Sequence, residues 1–203
     1  MRTAVLVSGS GSNLQSLLDR SASDPGFGAE IVLVLSDRPG VRGLERASAA
    51  GVPTAVVAWA DHADRAAFTT AVCDAIDAAG AELVVLAGFM RILAPEAVRR
   101  FPGRILNIHP SLLPAFPGAH AVEDALAHGV KLAGVTVHVV DEEVDHGPII
   151  AQRAVEVRPD DDRDSLHARI QAVEHELYPD VVADVAAGRV VVDGRHVTRK
   201  DLA

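Results

Sequence analysis

A single cysteine in 203 residues, Cys73, excludes an internal disulfide and any thiolate metal cluster. On an apolar helical face with no adjacent base, it reads as inert packing. Aromatic residues make up only 3% of the chain, and Trp59 and Tyr178 show no pattern of a base-stacking platform. Positive charge is also short. Nineteen Lys and Arg against 28 Asp and Glu leave a formal charge of −9 and a pI near 5.4, a poor balance for neutralising nucleic-acid phosphates. A small anionic ligand is not excluded, because a local pocket can oppose the global sign. No apolar run approaches the ~20 residues that cross a bilayer. Arg2 precedes a short Thr3–Val7 run and then glycines, unlike a secretory leader. The expectation is a soluble, cytoplasmic protein without nucleic-acid or membrane partners.

What is abundant is small and apolar. Alanine (34) and valine (29) lead a composition that is 49% hydrophobic, too rich for a disordered chain. The length suits one domain, residues 1–203, and no repeat or linker divides it. Short apolar runs alternate with longer amphipathic ones, which predicts an α/β fold: an open, mostly parallel twisted sheet with helices on both faces. Strands are expected at Thr3–Ser8, Ile31–Ser36, Thr54–Val57, Leu83–Ala87 and Arg104–Ile108. Helices are expected at Asn13–Arg20, Gly43–Ala50, Asp61–Ala79 and Pro95–Arg100. In the second half, Gly134–Val140 and Pro148–Val157 are close enough to pair antiparallel. A helix over Ser165–Ala187 and a small hairpin on Asp193-Gly194 follow. Asp160-Asp161-Asp162 reads as a solvated loop.

The first motif is Ser8-Gly9-Ser10-Gly11-Ser12-Asn13-Leu14, between a strand and a helix. Its glycines let a ligand approach the backbone, and free N–H groups at a helix start favour an anion. Two other readings stay open. A dinucleotide loop would want glycine where Leu14 stands, although Asp37 could meet a ribose. A plain turn could be capped by Ser12 or Asn13. A Walker loop fails for want of a Lys-Ser/Thr pair.

The second motif is Asn107-Ile108-His109-Pro110-Ser111-Leu112-Leu113-Pro114 at a strand end. Alternation places Asn107 and His109 on one side of the strand. A carboxamide and an imidazole together can hold an oxyanion while the imidazole moves a proton. The loop Asp141-Glu142-Glu143-Val144-Asp145-His146-Gly147-Pro148 brings a carboxylate near Gly-Pro. Asp145 is the one expected to reach His109 and raise its pKa, whereas Asp141, Glu142 and Glu143 read as a solvated turn. His138 reads as a core or supporting residue. His120, His138, His146 and Glu174-His175-Glu176 lack metal-ligand spacing, so no metal is expected.

Together SGSGSNL (8–14), VLAGFMRIL (85–93), NIHPSLLPAFPG (107–118), GVTVHVVDEEVDHGPIIAQ (134–152) and QAVEHELYP (171–179) closely resemble the phosphoribosylglycinamide formyltransferase family. The resemblance extends over nearly the whole chain. It implies transfer of a formyl group from 10-formyltetrahydrofolate, the co-substrate, to the amine of 5-phosphoribosylglycinamide in purine synthesis. It also implies a Rossmann-like fold with a phosphate-binding half (about 1–100) and a folate-binding, catalytic half (about 101–203), acting as a monomer or homodimer.

By position, Asn107, His109 and Asp145 match the family's catalytic trio. Asn107 and protonated His109 would stabilise the tetrahedral oxyanion. His109 would donate a proton, and Asp145 would keep it charged and position a relaying water. Gly11, Ser12 and Asn13 match the phosphate cradle, and Glu174 a residue near the ribose and glycinamide. Met90, Arg91, Ile92 and Leu93 match the folate wall, which Asn107 also meets, with the loop of Asp141, Glu142, Glu143, Val144 and Asp145 closing over the pteridine. Arg65 matches a position that meets folate's tail. Ala115 and His146 depart from the family pattern without touching the trio. Among relatives, methionyl-tRNA formyltransferase carries an extra carboxy-terminal domain and formyltetrahydrofolate deformylase an extra amino-terminal one. The chain shows neither, which points to the glycinamide substrate. A folate- or nucleotide-binding sensor without activity would not need all three of Asn107, His109 and Asp145.

Overall fold

Valine, leucine and isoleucine at alternating positions give strands that bury side chains on both faces. In the computed structural model, which describes residues 1–200, five such runs form β1 (Arg2–Val7), β2 (Glu30–Ser36), β3 (Thr54–Val56), β4 (Leu83–Leu86) and β5 (Ile105–His109). The expected unit of 1–203 ends in residues 201–203, which lie outside the described residues. These five strands pair parallel, and β6 (Leu132–Val139) and β7 (Ile149–Glu156) add antiparallel to the β5 side. The order is β3-β2-β1-β4-β5-β6-β7. Chain direction across the sheet therefore reverses between β1 and β4, where open α/β sheets place their ligand crevice.

Alternation within single strands divides the core. Val5 and Val7 of β1 face a cluster with α1 (Ser12–Ser23), α2 (Arg42–Ala49), α5 (Ala121–His128) and α6 (Arg163–Ala186). Ala4 and Leu6 face the opposite cluster with α3 (Arg65–Ala78) and α4 (Pro95–Arg100). Tyr178 of α6 is fully buried, and its hydroxyl lies 2.9 and 3.1 Å from the carbonyl oxygens of Leu86 and Leu106. This pins α6 against the ends of β4 and β5. A terminal hairpin, β8 (Val190–Asp193) and β9 (His196–Arg199), follows. Cys73 is buried on α3, and burial pushes its thiol pKa up to about 11, which keeps it a packing residue.

Three expectations need correction. The predicted helix at Asp61 starts at Arg65, because the Asp64 side chain accepts from Ala67 N–H and caps it there; Trp59–Asp61 is a separate 3₁₀ turn. The segment 121–128 carries too little periodicity to be read as a helix, yet it forms α5 once Val122 and Ala125 pack on the core. The triplet Asp160–Asp162 is not simply solvated. Asp162 forms a reciprocal cap with Ser165 at the start of α6, and Asp161 is ion-paired with Arg169.

Candidate active site

The glycine loop after β1 enters α1 through Gly11, whose φ of 67° is left-handed. A Cβ at Gly11 would also lie 2.7 Å from the Gly43 Cα, so α2 sits directly behind the loop. No side chain caps α1, and its first turn holds no acid. The first-turn N–H groups therefore present a positive helix end with no internal carboxylate or hydroxyl acceptor. This disfavours the plain turn capped by Ser12 or Asn13. Arg46 braces the loop by donating Nε to Ser10 O (2.9 Å) and Nη1 to Gln15 Oε1 (2.7 Å).

Asn13 turns inward, donating Nδ2 to Glu174 Oε2 at 2.8 Å with both residues buried. The Asn13 Oδ1 has no hydrogen-bond partner among the described residues. Burial raises the Glu174 carboxyl from 4.5 to about 6, against the pull of the Asn13 hydrogen bond. A raised folded-state pKa favours folding below pH 4.5, and that benefit is lost as pH rises through about 6. Glu174→Gln keeps an acceptor for Asn13 and removes the ionisation. It is expected to raise stability by about 2 kcal/mol at pH 7 and by nothing near pH 4. Thermal melts at the two pH values check this.

The second cluster gathers at the end of β5. Asn107 and His109 emerge on the same side, as alternation requires. The β6–β7 loop returns Asp145 against them. Asp145 Oδ2 lies 3.3 Å from His109 Nδ1 and accepts from Gly118 N–H at 2.8 Å; Oδ1 lies 3.4 Å from Asn107 Nδ2. His109 Nε2 faces the Phe116 carbonyl at 2.8 Å. Asp145 has φ 52°, a left-handed conformation for a residue with a Cβ, which costs about 1–3 kcal/mol and persists only where surroundings impose it.

His138, read from sequence only as a core or supporting residue, is the fourth member. Its Nδ1 faces the Val139 carbonyl (3.1 Å), so Nδ1 carries the proton and Nε2 accepts from Asn107 Nδ2 at 3.2 Å. Nε2 is also 3.7 Å from Asp145 Oδ1. Register placed it there: His138 sits opposite Asn107 in the β5–β6 ladder. An alternating Thr-Val-His-Val run carries no signal of that pairing.

The expected direction for His109 reverses. Burial lowers its pKa below the usual 6.5, and the Asp145 carboxylate and Phe116 carbonyl only partly restore it. For Asp145 itself burial pushes upward, but the adjacent His138 ring, the hydrogen bond from Gly118 N–H and the His109 charge hold it below the ordinary carboxylate range. The pair is thus an anionic carboxylate beside a buried imidazole whose two nitrogens both face acceptors.

Next to this cluster lies an open apolar wall. Met90, Ile92 and Val144 are large hydrophobics left 67%, 57% and 51% exposed, while Phe89, Leu93 and Val140 are partly buried against the α3 and α4 core cluster. Flat apolar ligands suit such a surface. Asp37 does not face it as a ribose ligand. Its side chain is fully buried, 2.8 Å from Arg91 Nε and 3.4 Å from Arg38 Nη2. Burial pushes its carboxyl upward, but hydrogen bonds from Ser8 and Arg91 win and keep it anionic. Ser8 Oγ also accepts from Met90 N–H (2.8 Å), and Arg91 lies 5.0 Å from the centre of the Trp59 ring. The wall is therefore tied to the ends of β1 and β2, and the dinucleotide reading loses its acidic residue.

The remaining predicted residues are more dispersed. Arg65 is exposed at the start of α3. Asp141 binds the Glu143 N–H and the His146 ring, and Glu142 pairs with Arg99 at 3.2 Å. Glu143 and Val144 are exposed. Among the described residues no group of His, Cys, Asp and Glu could hold a metal ion. No described helix is long and apolar enough to cross a membrane.

Residues 1–182 match the formyl transferase family. The chain is 50% identical to phosphoribosylglycinamide formyltransferase of Mycobacterium tuberculosis, covering 97% of this chain and 90% of that protein. It is 48% identical to the trifunctional purine biosynthetic protein adenosine-3 of Drosophila melanogaster, covering 94% of this chain but only 14% of that longer protein. The fold matches glycinamide ribonucleotide transformylase 1 of Symbiobacterium toebii with a TM-score of 0.94 and 48% identity, over 99% of this chain and 94% of that one. A formyltetrahydrofolate deformylase of Pseudomonas syringae matches at TM-score 0.90 but 29% identity, over 98% of this chain and 66% of that one. The chain belongs to the formyl transferase family, among the phosphoribosylglycinamide formyltransferases.

Proposed function

We propose that this protein transfers the formyl group of 10-formyltetrahydrofolate to the amine of 5-phosphoribosylglycinamide in purine biosynthesis. The observation that carries the chemistry is the convergence of Asn107, His109 and Asp145 at the end of β5, His109 buried and the other two half-buried, in a fold whose glycine loop presents an uncapped helix N-terminus. The Gly11, Ser12 and Asn13 N–H groups would hold the ribose phosphate. Glu174, next to Asn13, would meet the ribose and glycinamide end. The folate ring would lie on Met90, Arg91, Ile92 and Leu93, under the loop from Asp141 to Val144, with Arg65 toward its tail.

When the amine attacks the formyl carbon, charge develops on the formyl oxygen. The Asn107 amide and protonated His109 would stabilise it in a water-poor site where such donors act strongly. Asp145 supplies the negative charge that opposes burial and favours the imidazolium. His109 would then return a proton toward the departing folate nitrogen through water held by Asp145. The chain would work in the cytoplasm, as a monomer or homodimer, without nucleic acid or membrane. Residues 1–203 would act as one domain, with its two halves sharing both ligands, since Glu174 would lie at the phosphate site and Met90–Leu93 would line the folate wall.

The test is a spectroscopic assay with purified protein, 10-formyltetrahydrofolate and 5-phosphoribosylglycinamide. Tetrahydrofolate is expected only when the glycinamide acceptor is present. Formate released without acceptor would instead indicate a deformylase, and ligand binding without turnover a sensor.

A further inference from the structure

We infer that Arg195, at the tip of the terminal hairpin, is a positioning residue for the reaction, holding the catalytic loop through His146. Asp145 needs such support, because it keeps a left-handed backbone and its carboxylate must stay on His109. On its amino-terminal side the loop is exposed. On its carboxy-terminal side, His146 is gripped at three points. Arg195 Nη2 donates to the His146 carbonyl at 2.9 Å, Arg195 Nη1 lies 3.3 Å from His146 Nε2, and Asp141 Oδ2 is 2.7 Å from His146 Nδ1.

The donor pattern is self-consistent. A guanidinium only donates, so His146 Nε2 accepts; Nδ1 then carries the proton and gives it to Asp141. One neutral imidazole thus ties the first residue of the loop to the hairpin. The neck is closed as well: a Cβ at Gly147 would overlap the Val139 carbonyl oxygen, and Val139 N–H donates to Pro148 O at 2.9 Å. The hairpin is anchored at its own base, where Arg199 and Arg189 both pair with Asp184 of α6. Arg195 therefore reaches the loop from a fixed platform. The His146 backbone is continuous with Asp145, so slack in this grip passes directly to the carboxylate.

The inference rests on the proposed transferase reading, and the experiment separates the two. Turnover and melting temperature are measured for the unaltered protein, Arg195→Ala, His146→Ala and the double variant. No turnover by the unaltered protein would overturn the transferase reading itself. Given turnover, Arg195→Ala is expected to lower kcat roughly tenfold or more, since misplacing a reacting group by about 1 Å costs up to ~10²-fold. KM for phosphoribosylglycinamide should stay unchanged, because its cradle lies at α1. The double variant should lose less than the product of the two single losses, since both changes remove the Arg195–imidazole contact. Arg195→Lys, which keeps a donor for the His146 carbonyl, should recover part of the rate. An unchanged kcat in Arg195→Ala, or losses that multiply fully in the double variant, would overturn the inference.

Discussion

His109→Ala is expected to lower kcat by roughly 10²–10⁴ with little change in KM for either substrate. His109 is 4% exposed, so it contributes little area to ligand binding. In the proposed mechanism the substitution removes a proton donor and a positive hydrogen-bond donor to charge that exists only in the transition state. Steady-state kinetics at saturating concentrations of both substrates measure the loss. A melting curve on the same sample confirms that the small cavity left behind has not unfolded the protein. Asn107→Ala should cost on the order of 10²–10³. The double variant should cost less than the product, because both donors serve one oxygen. Near-normal turnover by His109→Ala would sink the assigned roles.

Asp145→Asn should produce a loss of similar size, about 10²–10⁴, and a shift in pH dependence that identifies its cause. The native carboxylate is anionic at neutral pH, its pKa held below the usual range. Its charge raises the His109 pKa, which burial has already carried below 6.5. Removing that charge lowers the His109 pKa further. If protonated His109 is required, kcat/KM declines as pH rises through this pKa, so the decline should move to more acidic pH in Asp145→Asn. Less imidazolium is then present at pH 7. The new NH2 also meets a like donor whichever way the amide turns, the Asn107 NH2 at 3.4 Å from the Oδ1 position or the Gly118 N–H at 2.8 Å from the Oδ2 position. A profile of kcat/KM between pH 5 and 9 checks the direction. An unmoved decline would show that Asp145 does not act through the His109 charge.

How much of this was legible follows from the range of each interaction. The parallel strands were readable because each is a short run of β-branched and aliphatic residues buried on both faces. The side shared by Asn107 and His109 was readable because strand periodicity is two. Asp145 stood out by its Gly-Pro neighbours. Capping was less readable: Asp64 and Asp162 look like any acidic surface residue until their side chains turn onto the helix that follows. The α5 segment lacked a signal because its short apolar stripe acquires meaning only against α6 and the sheet.

Charge is where one sequence can mislead. A carboxylate near a histidine predicts a raised pKa, and the sign for His109 reversed because the surrounding core removes more hydration than Asp145 restores. Asp37 looked like a ribose ligand and is spent on Arg91 and Arg38. His138 looked like a core or supporting residue and lies 3.2 Å from Asn107 in the proposed catalytic cluster. The shortage of positive charge likewise turns local, with Arg91 and Arg38 paired to Asp37 and the proposed phosphate site left to backbone N–H groups of α1.

Residue order along the chain was enough to specify the α/β class, the anion-ready glycine loop and the side shared by Asn107 and His109, because strand alternation and helix starts are properties of neighbouring residues. Which buried group is charged, which histidine joins Asn107, and how a hairpin at residue 195 reaches a loop at residue 146 depend on contacts between residues 31 to 49 positions apart. Register and burial decide those, and neither is written in any local stretch of the chain.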